Sequence, residues 1–380
     1  MLSLRMLGRR GRAILAVLGC AASLAVLVPG TAAAADSIRG DQQWVLNMMS
    51  VPAAWQLTQG AGVTVAVIDS GVNPDVSDLA GSVHAGPDYT GISTRPSNPN
   101  WGVHGTWMAS LIAGHGDPPG GDSGVIGIAP RSTILSIRVI PDRSDPHYGR
   151  YARELEPNIE NSLARGIDYA VQHGAKVISM SIGYSAPNGA VRQALQQAFS
   201  RGVVVVASAG NSGAPAGASD GGQAPVSFPA DYPGVISVGA VNPAGAVAYF
   251  SSDNLSVQIA APGEQVPAQG RDGQYWWVSG TSPACALVAG VAALIKSKYP
   301  ELAPNLVGSA MTSTTTSRPA GGYDSQVGFG IVDAAAAVAQ VPVHPRGSGR
   351  LVLFVLLGVA SLVLAGAAGT RLAILRRSPR

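Results

Sequence analysis

Cysteine is almost missing from this chain: its 380 residues hold only Cys20 and Cys285, and the first lies in an amino-terminal segment expected to be removed. An intramolecular disulfide in the mature chain is thereby excluded. A domain of roughly 300 residues must then rest on its core alone, which that length allows. Lysine occurs only as Lys176, Lys296 and Lys298; charged residues make up 12% and aromatic residues 6%. What abounds is the complement, with 46% apolar types, 48 glycines and 27 prolines. A core of small aliphatic side chains joined by many tight turns suits an α/β enzyme better than a helical bundle.

The two ends are compositionally distinct. Arg5, Arg9, Arg10 and Arg12 precede an apolar run over 13–28, and small residues follow, ending in Ala33, Ala34 and Ala35. This is the build of a secretory signal peptide over residues 1–35. The run is short for a membrane span, which takes about 20 residues. Cys20, preceded by Leu18 and Gly19, leaves lipidation as the alternative. Near the carboxyl end, residues 351–370 are uncharged between Arg350 and Arg371, long enough to cross a hydrocarbon core of about 30 Å. Arg371, Arg376, Arg377 and Arg380 then place the tail over 371–380 in the cytoplasm. The expected order is a signal peptide, a folded domain over 36–340, a linker over 341–350, a transmembrane helix and a cytoplasmic tail. The chain would cross the cell membrane once, with the folded domain extracytoplasmic.

Eight of the 25 basic residues lie in these two end segments, which carry no acid, so 17 bases face 22 acids in between. The positive formal charge is therefore a matter of topology, and no nucleic-acid partner is expected.

Between the ends, residues 63–68 form a continuous β-branched and alanine run, as expected for a strand buried on both faces. Similar runs occur at 134–140, 177–180, 203–207 and 235–241, with helical patterns at 159–173 and 191–200 between them. Alternation of this kind implies a parallel sheet covered by helices on both faces, with sites at the carboxyl ends of the strands. Residues 282–298 read as a long apolar helix with Pro283 in its first turn, followed by short helices at 305–312 and 333–339. Two polar stretches, 142–158 and 212–223, read as solvated loops.

Four segments carry chemistry: V-A-V-I-D-S-G-V at 65–72, H-G-T at 104–106, S-A-G-N-S-G at 208–213, and V-S-G-T-S-P-A-C-A-L-V-A-G at 278–290. Singly, each has a plain reading. An Asp after a buried strand is often a turn or helix cap, Asn beside Gly is usually a turn, and Thr-Ser before a helix is usually a cap. In this order together they resemble the subtilisin-like serine peptidases, or subtilases, over roughly residues 44–339.

The resemblance implies an α/β, subtilisin-like three-layer fold with a mostly parallel central sheet. It implies that Ser282 attacks the peptide carbonyl, His104 takes the proton and Asp69 holds the imidazole. Asn211 and the backbone N–H of Ser282 would form the oxyanion hole, and Ser181, Ile182 and Gly183 would line the pocket for the residue before the scissile bond. Phe228-Pro229 resembles a family segment with a cis proline. Trp276 and Trp277 could shape the cleft or belong to the core.

The chain departs from the family in carrying Pro283 where methionine is often found and Cys285 where a small residue is usual; a reachable thiol there would confer thiol sensitivity. There is no room between Asp36 and Trp44 for a folding-assisting propeptide. No cofactor is required. Some relatives bind calcium after the histidine helix, where this chain offers Asp117 and Asp122, residues that are equally at home in a solvated loop.

With its two end segments, the chain is similar to the mycosins, the membrane peptidases of type VII secretion in actinobacteria, although it lacks their usual disulfide cysteines. The expected function is a membrane-anchored endopeptidase acting on protein or peptide substrates, with secretion-system membrane components as partners. The alternative is a structural subunit of a secretion complex.

Overall fold

The computed structural model describes residues 35–118, 121–155, 159–213 and 224–341. Apart from Ala35 and Val341, the expected signal peptide, linker, transmembrane helix and tail lie outside these residues, as does most of the 212–223 stretch. Among the described residues no helix is long and apolar enough to cross a membrane. The chain divides into two units after Gln340, and every described helix and strand belongs to the first.

Seven strands build the central layer: β1 (Thr64–Asp69), β2 (Val83–Asp88), β3 (Thr133–Arg138), β4 (Val177–Met180), β5 (Val204–Ser208), β6 (Ile236–Val241) and β7 (Ile259–Pro262). They form one sheet in the order β2-β3-β1-β4-β5-β6-β7, every pairing parallel. A separate antiparallel hairpin joins β8 (Val266–Gln269) to β9 (Tyr275–Val278). The helices are α1 (Ala35–Met48), α2 (Val51–Trp55), α3 (Val103–Ala113), the single turn α4 (Tyr148–Arg150), α5 (Ile159–Gln172), α6 (Gly189–Ser200), α7 (Thr281–Lys298), α8 (Pro304–Ser313) and α9 (Ala334–Ala339).

Strand alternation decides which helices lie on which face. Ala66 and Ile68 of β1, with Ile178 and Met180 of β4, pack among Leu163 and Ile167 of α5 and Val191 and Leu195 of α6. Their neighbours in sequence must point the other way. Accordingly Ser179 Oγ lies 3.8 Å from Cys285 Sγ of α7, on the opposite face. Helix α7 is buried from Thr281 through Lys296, the condition that an all-round apolar helix demands. Strand order reverses about β1, which has β3 on one side and β4 on the other. That switch point is where an open parallel sheet forms its crevice, and Asp69 ends β1.

Strand β2 carries no apolar run, and no sequence pattern announces it. It is the sheet edge, pairs only with β3, shifts register between Ala85 and Asp88, and contains Pro87, whose missing N–H an edge tolerates. The 142–158 stretch is not simply a solvated loop. Asp142 and Asp145 are buried, and Asp145 accepts from Arg138 Nη2 (2.9 Å) and Thr94 Oγ1 (2.7 Å). The polar composition there reflects an internal ion-pair network around a buried arginine.

Helix α1 precedes α2 and the first family-like segment in the chain. Its Arg39 guanidinium donates to the carbonyls of Gly124 (2.9 Å), Ser123 (2.9 Å) and Gly121 (3.2 Å). Gln42 pairs with both the N–H and the C=O of Ile126. Asp117 and Asp122 are exposed, and the cation held by this loop is the arginine side chain. Among the described residues no group of three or more His, Cys, Asp or Glu is placed to hold a metal ion. Replacing Arg39 by alanine strands three partly buried carbonyls and is expected to lower stability by about 2 kcal/mol in urea unfolding. A change of only a few tenths would remove Arg39 from the interactions that hold the loop.

Candidate active site

Asp69 is 1% exposed at the carboxyl end of β1. Its Oδ1 accepts the Ser70 N–H at 2.7 Å. His104 stands in the first turn of α3 with its ring one-fifth exposed, and its Nδ1 lies 2.8 Å from Asp69 Oδ1 and 3.0 Å from Oδ2. The glycine of each motif explains how the two elements come so close. A Cβ on Gly105 would collide with the Gly71 carbonyl oxygen, and one on Gly102 would lie 3.1 Å from the same carbonyl group. Backbone therefore packs on backbone where α3 starts.

Burial acts to lower the basicity of His104, but the charge of Asp69, its hydrogen bond and the further charge of Asp142 outweigh it, so the imidazole is held above the ordinary histidine value. Trp107, one turn along, sets its ring edge-on to the imidazole with centroids 6.4 Å apart and lies 6.3 Å from Trp276. The paired tryptophans thus divide: Trp276 stands by the histidine helix, while Trp277 packs on Ile38, Val125 and Tyr275.

Ser282 lies in the first turn of α7 and is 3% exposed. Helix α7 packs against α3, and the Ser282 carbonyl accepts from Ser181 Oγ at 3.2 Å, which brings the end of β4 alongside. The structure shows no hydrogen bond between Ser282 and His104; such nucleophile–base contacts commonly tighten only with substrate in place. Ile182 is buried beside Ser181, and a Cβ on Gly183 would meet Ser227 Oγ at 2.5 Å, so Ser227 closes on this segment.

Asn211 follows β5. Its Oδ1 accepts from both Thr281 N–H and Thr281 Oγ1, each at 2.8 Å. Its buried Nδ2 has no partner and lies 3.2 Å from where a Cβ on Gly280 would stand. Gly280 has φ 151°, so glycine is needed there for conformation and for space. The amide is oriented through its oxygen, leaving two N–H donors free beside Ser282 where α7 begins. Unpaired N–H groups of a helix start favour negative charge at the same point.

Cys285 is fully buried, and burial pushes its thiol up to about 12, so the thiol sensitivity considered from sequence is not expected of the folded protein. The Phe228–Pro229 bond is cis, as the resemblance implies. All seven site residues expected from sequence lie at the carboxyl ends of β1, β4 and β5 or in the first turns of α3 and α7. Two neighbours escape sequence reasoning. Arg271, at the tip of the β8–β9 hairpin, donates to the carbonyls of Trp101 (2.5 Å) and Pro96. Asp142 reads from sequence as part of a solvated loop. Its signal lies elsewhere: the helix start W-G-V-H has no capping side chain of its own.

A parallel sheet layered between helices, with a buried Asp–His pair at its switch point and a serine at the start of the helix packed on the histidine helix, defines a subtilisin-like serine peptidase. The Subtilase family model matches residues 60–330, and the chain belongs to that family. It is similar to subtilisin DY of Bacillus licheniformis, 34% identical over 279 residues that cover 73% of this chain and 92% of that protein. Mycosin-1 of Mycobacterium tuberculosis is 33% identical over 349 residues, covering 81% of this chain and 76% of mycosin-1. Among solved structures, the MycP3 protease of the type VII (ESX-3) secretion system superposes with a TM-score of 0.67 at 32% identity, covering 84% of this chain and 92% of that one. MycP1 of Mycobacterium smegmatis superposes with a TM-score of 0.63 at 30% identity, covering 84% and 88%. Within the subtilases, the chain is a peptidase of the mycosin type.

Proposed function

We propose that the protein is a membrane-anchored, extracytoplasmic endopeptidase that works through Asp69, His104 and Ser282. The Ser282 hydroxyl gives its proton to His104 Nε2 as Oγ bonds to the peptide carbonyl. The Asn211 amide and the Ser282 N–H hold the oxyanion. His104 then passes the proton to the departing amine as the C–N bond breaks. Water, deprotonated by the same imidazole, releases the acyl group and restores the serine. Ser181, Ile182 and Gly183 line the pocket for the substrate side chain before the scissile bond.

The observation that carries this reading is the buried Asp69 carboxylate on Nδ1 of an imidazole whose helix packs against the one bearing Ser282. Fluorophosphonate labelling of the protein, with Ser282→Ala and His104→Ala beside it, is the test. Labelling that both substitutions abolish is the expected result; a folded wild type that stays unlabelled would sink the proposal. Asn211→Ala should leave labelling detectable while lowering turnover of a peptide substrate about 10²–10³-fold, the loss subtilisin itself shows. An unchanged turnover would remove Asn211 from the oxyanion hole.

Anchoring is supported by the uncharged run 351–370 between Arg350 and Arg371. A second reading, as a structural subunit of a secretion complex, is favoured by one relative, a MycP1 described as an essential component of the type VII (ESX-1) secretion system. Complementation with Ser282→Ala separates the two, since a structural role survives the substitution and a peptidase role does not.

A further inference from the structure

Helix α3 begins without a cap of its own. Gly102 precedes it in the left-handed region (φ 74°) and offers no side chain to the exposed N–H groups of the first turn. The carboxylate of Asp142, from the segment that follows β3, fills that role across 38 residues of sequence. Its Oδ1 accepts the N–H of His104 and its Oδ2 the N–H of Val103, both at 2.8 Å. The side chain is 8% exposed. His104 is therefore held by two carboxylates, Asp69 on the ring and Asp142 on the backbone.

We propose that Asp142 is a positioning residue for the general base, fastening the turn that aims His104 and adding a second negative charge beside the imidazole. The inference rests on the proposed peptidase activity for its functional meaning. Two hydrogen bonds to consecutive N–H groups fix both the rotation of the first helical turn and its distance from the strand end. The imidazole is then held against Asp69 in one orientation. Displacement of a reacting group by about 1 Å costs as much as 10²-fold in rate.

The charges around the imidazole are few and come from three sides. Asp69 faces it from β1 and Asp142 from the segment after β3. Arg271, at the β8–β9 tip, acts on Asp142. On the side of the same segment, Arg138 of β3 is neutralised by Asp88 (2.6 Å) and Asp145 (2.9 Å), with His147 3.6 Å from Asp145. On α7 the nearest titrating group is the Cys285 thiol, neutral at physiological pH.

Burial raises Asp142 above the usual carboxylate range, and the His104 N–H, the charge of His104 and the Val103 N–H oppose it. His104 is raised as well, so the acid limb of activity belongs to the pair. The base is needed neutral, and activity is present above that limb and lost as pH falls through it. The raised imidazole leads us to expect the wild-type limb above the ordinary histidine value.

The test compares the full-length wild type, Asp142→Asn and Asp142→Ala. Two quantities are read: the fluorophosphonate labelling rate against pH, and the titration of the His104 imidazole by NMR, assigned by its loss in His104→Gln. Removing the charge but keeping one acceptor, Asp142→Asn should move both the acid limb and the His104 titration to lower pH and cut the plateau rate about tenfold. Asp142→Ala should cut the plateau up to about a hundredfold. A simple structural cap would change thermal stability and leave the His104 titration in place, and that outcome overturns the proposal. Should Asp142→Ala fail to fold, Asp142→Asn decides alone. A wild type that never labels, yet whose His104 titration drops in Asp142→Asn, refutes the peptidase reading and sustains the positioning. A labelled wild type with an unmoved titration does the reverse.

Discussion

Replacement of Ser282 by alanine is expected to lower peptide turnover about a million-fold, the loss subtilisin shows for its nucleophile, while the protein stays folded. Folding should survive because alanine suits the first turn of α7, and because the Ser282 contact shown is through its backbone carbonyl, which Ser181 Oγ bonds. The chemistry should not survive, since the two neighbouring hydroxyls of Ser181 and Thr281 are already engaged. Ser181 is spent on that carbonyl, and the Thr281 hydroxyl is bonded to Asn211 Oδ1 and receives the Gly210 N–H at 3.2 Å. Combining Ser282→Ala with His104→Ala should cost little more than either alone, because the two act as one unit. Kinetics on a fluorogenic peptide, normalised to the amount of folded protein, would measure both. Retention of even a hundredth of wild-type turnover by a pure Ser282→Ala protein would place the nucleophile elsewhere.

Asp69→Asn is expected to cost about 10⁴-fold in turnover with little change in substrate affinity. The replacement is nearly isosteric, and its remaining oxygen can still accept the Ser70 N–H, now made at 2.7 Å. What changes is the group facing His104 Nδ1 across 2.8 Å. An amide N–H presented there makes Nδ1 an acceptor and puts the ring proton on Nε2, the wrong tautomer for taking a proton from serine. The charge that offsets burial of the imidazole goes too, so His104 titrates at lower pH in the variant. Kinetics across a pH series, with unfolding monitored in parallel, check this. A loss below tenfold would reduce Asp69 to a structural carboxylate.

Much of the sheet is legible as runs of β-branched residues. The readings at 63–68, 177–180, 203–207 and 235–241 each lie within a residue or two of β1, β4, β5 and β6, because a strand buried on both faces must be apolar throughout. The helices at 159–173 and 191–200 are legible for the related reason that one face of each enters the core. β2 is illegible, since an edge strand with a proline and an exposed face carries no such run. The β8–β9 hairpin and α1 escape as well; their contacts are to distant parts of the chain, such as Arg39 to residues 121–124.

At the site, residue types and order suffice to choose Asp69, His104, Asn211 and Ser282, but nothing local distinguishes Asp142 from a loop carboxylate. By itself the sequence determined which groups are the candidates for the reaction and the apolar framework that carries them, because both are written in short contiguous segments with their own periodicity. Only the tertiary structure decided how those groups are held. It set Gly105 onto Gly71, turned the Asn211 amide by its bonds to Thr281, and delivered Asp142 to a helix start 38 residues away. Those are contacts between segments remote in the chain, settled by which faces the sheet buries together and therefore absent from any local pattern.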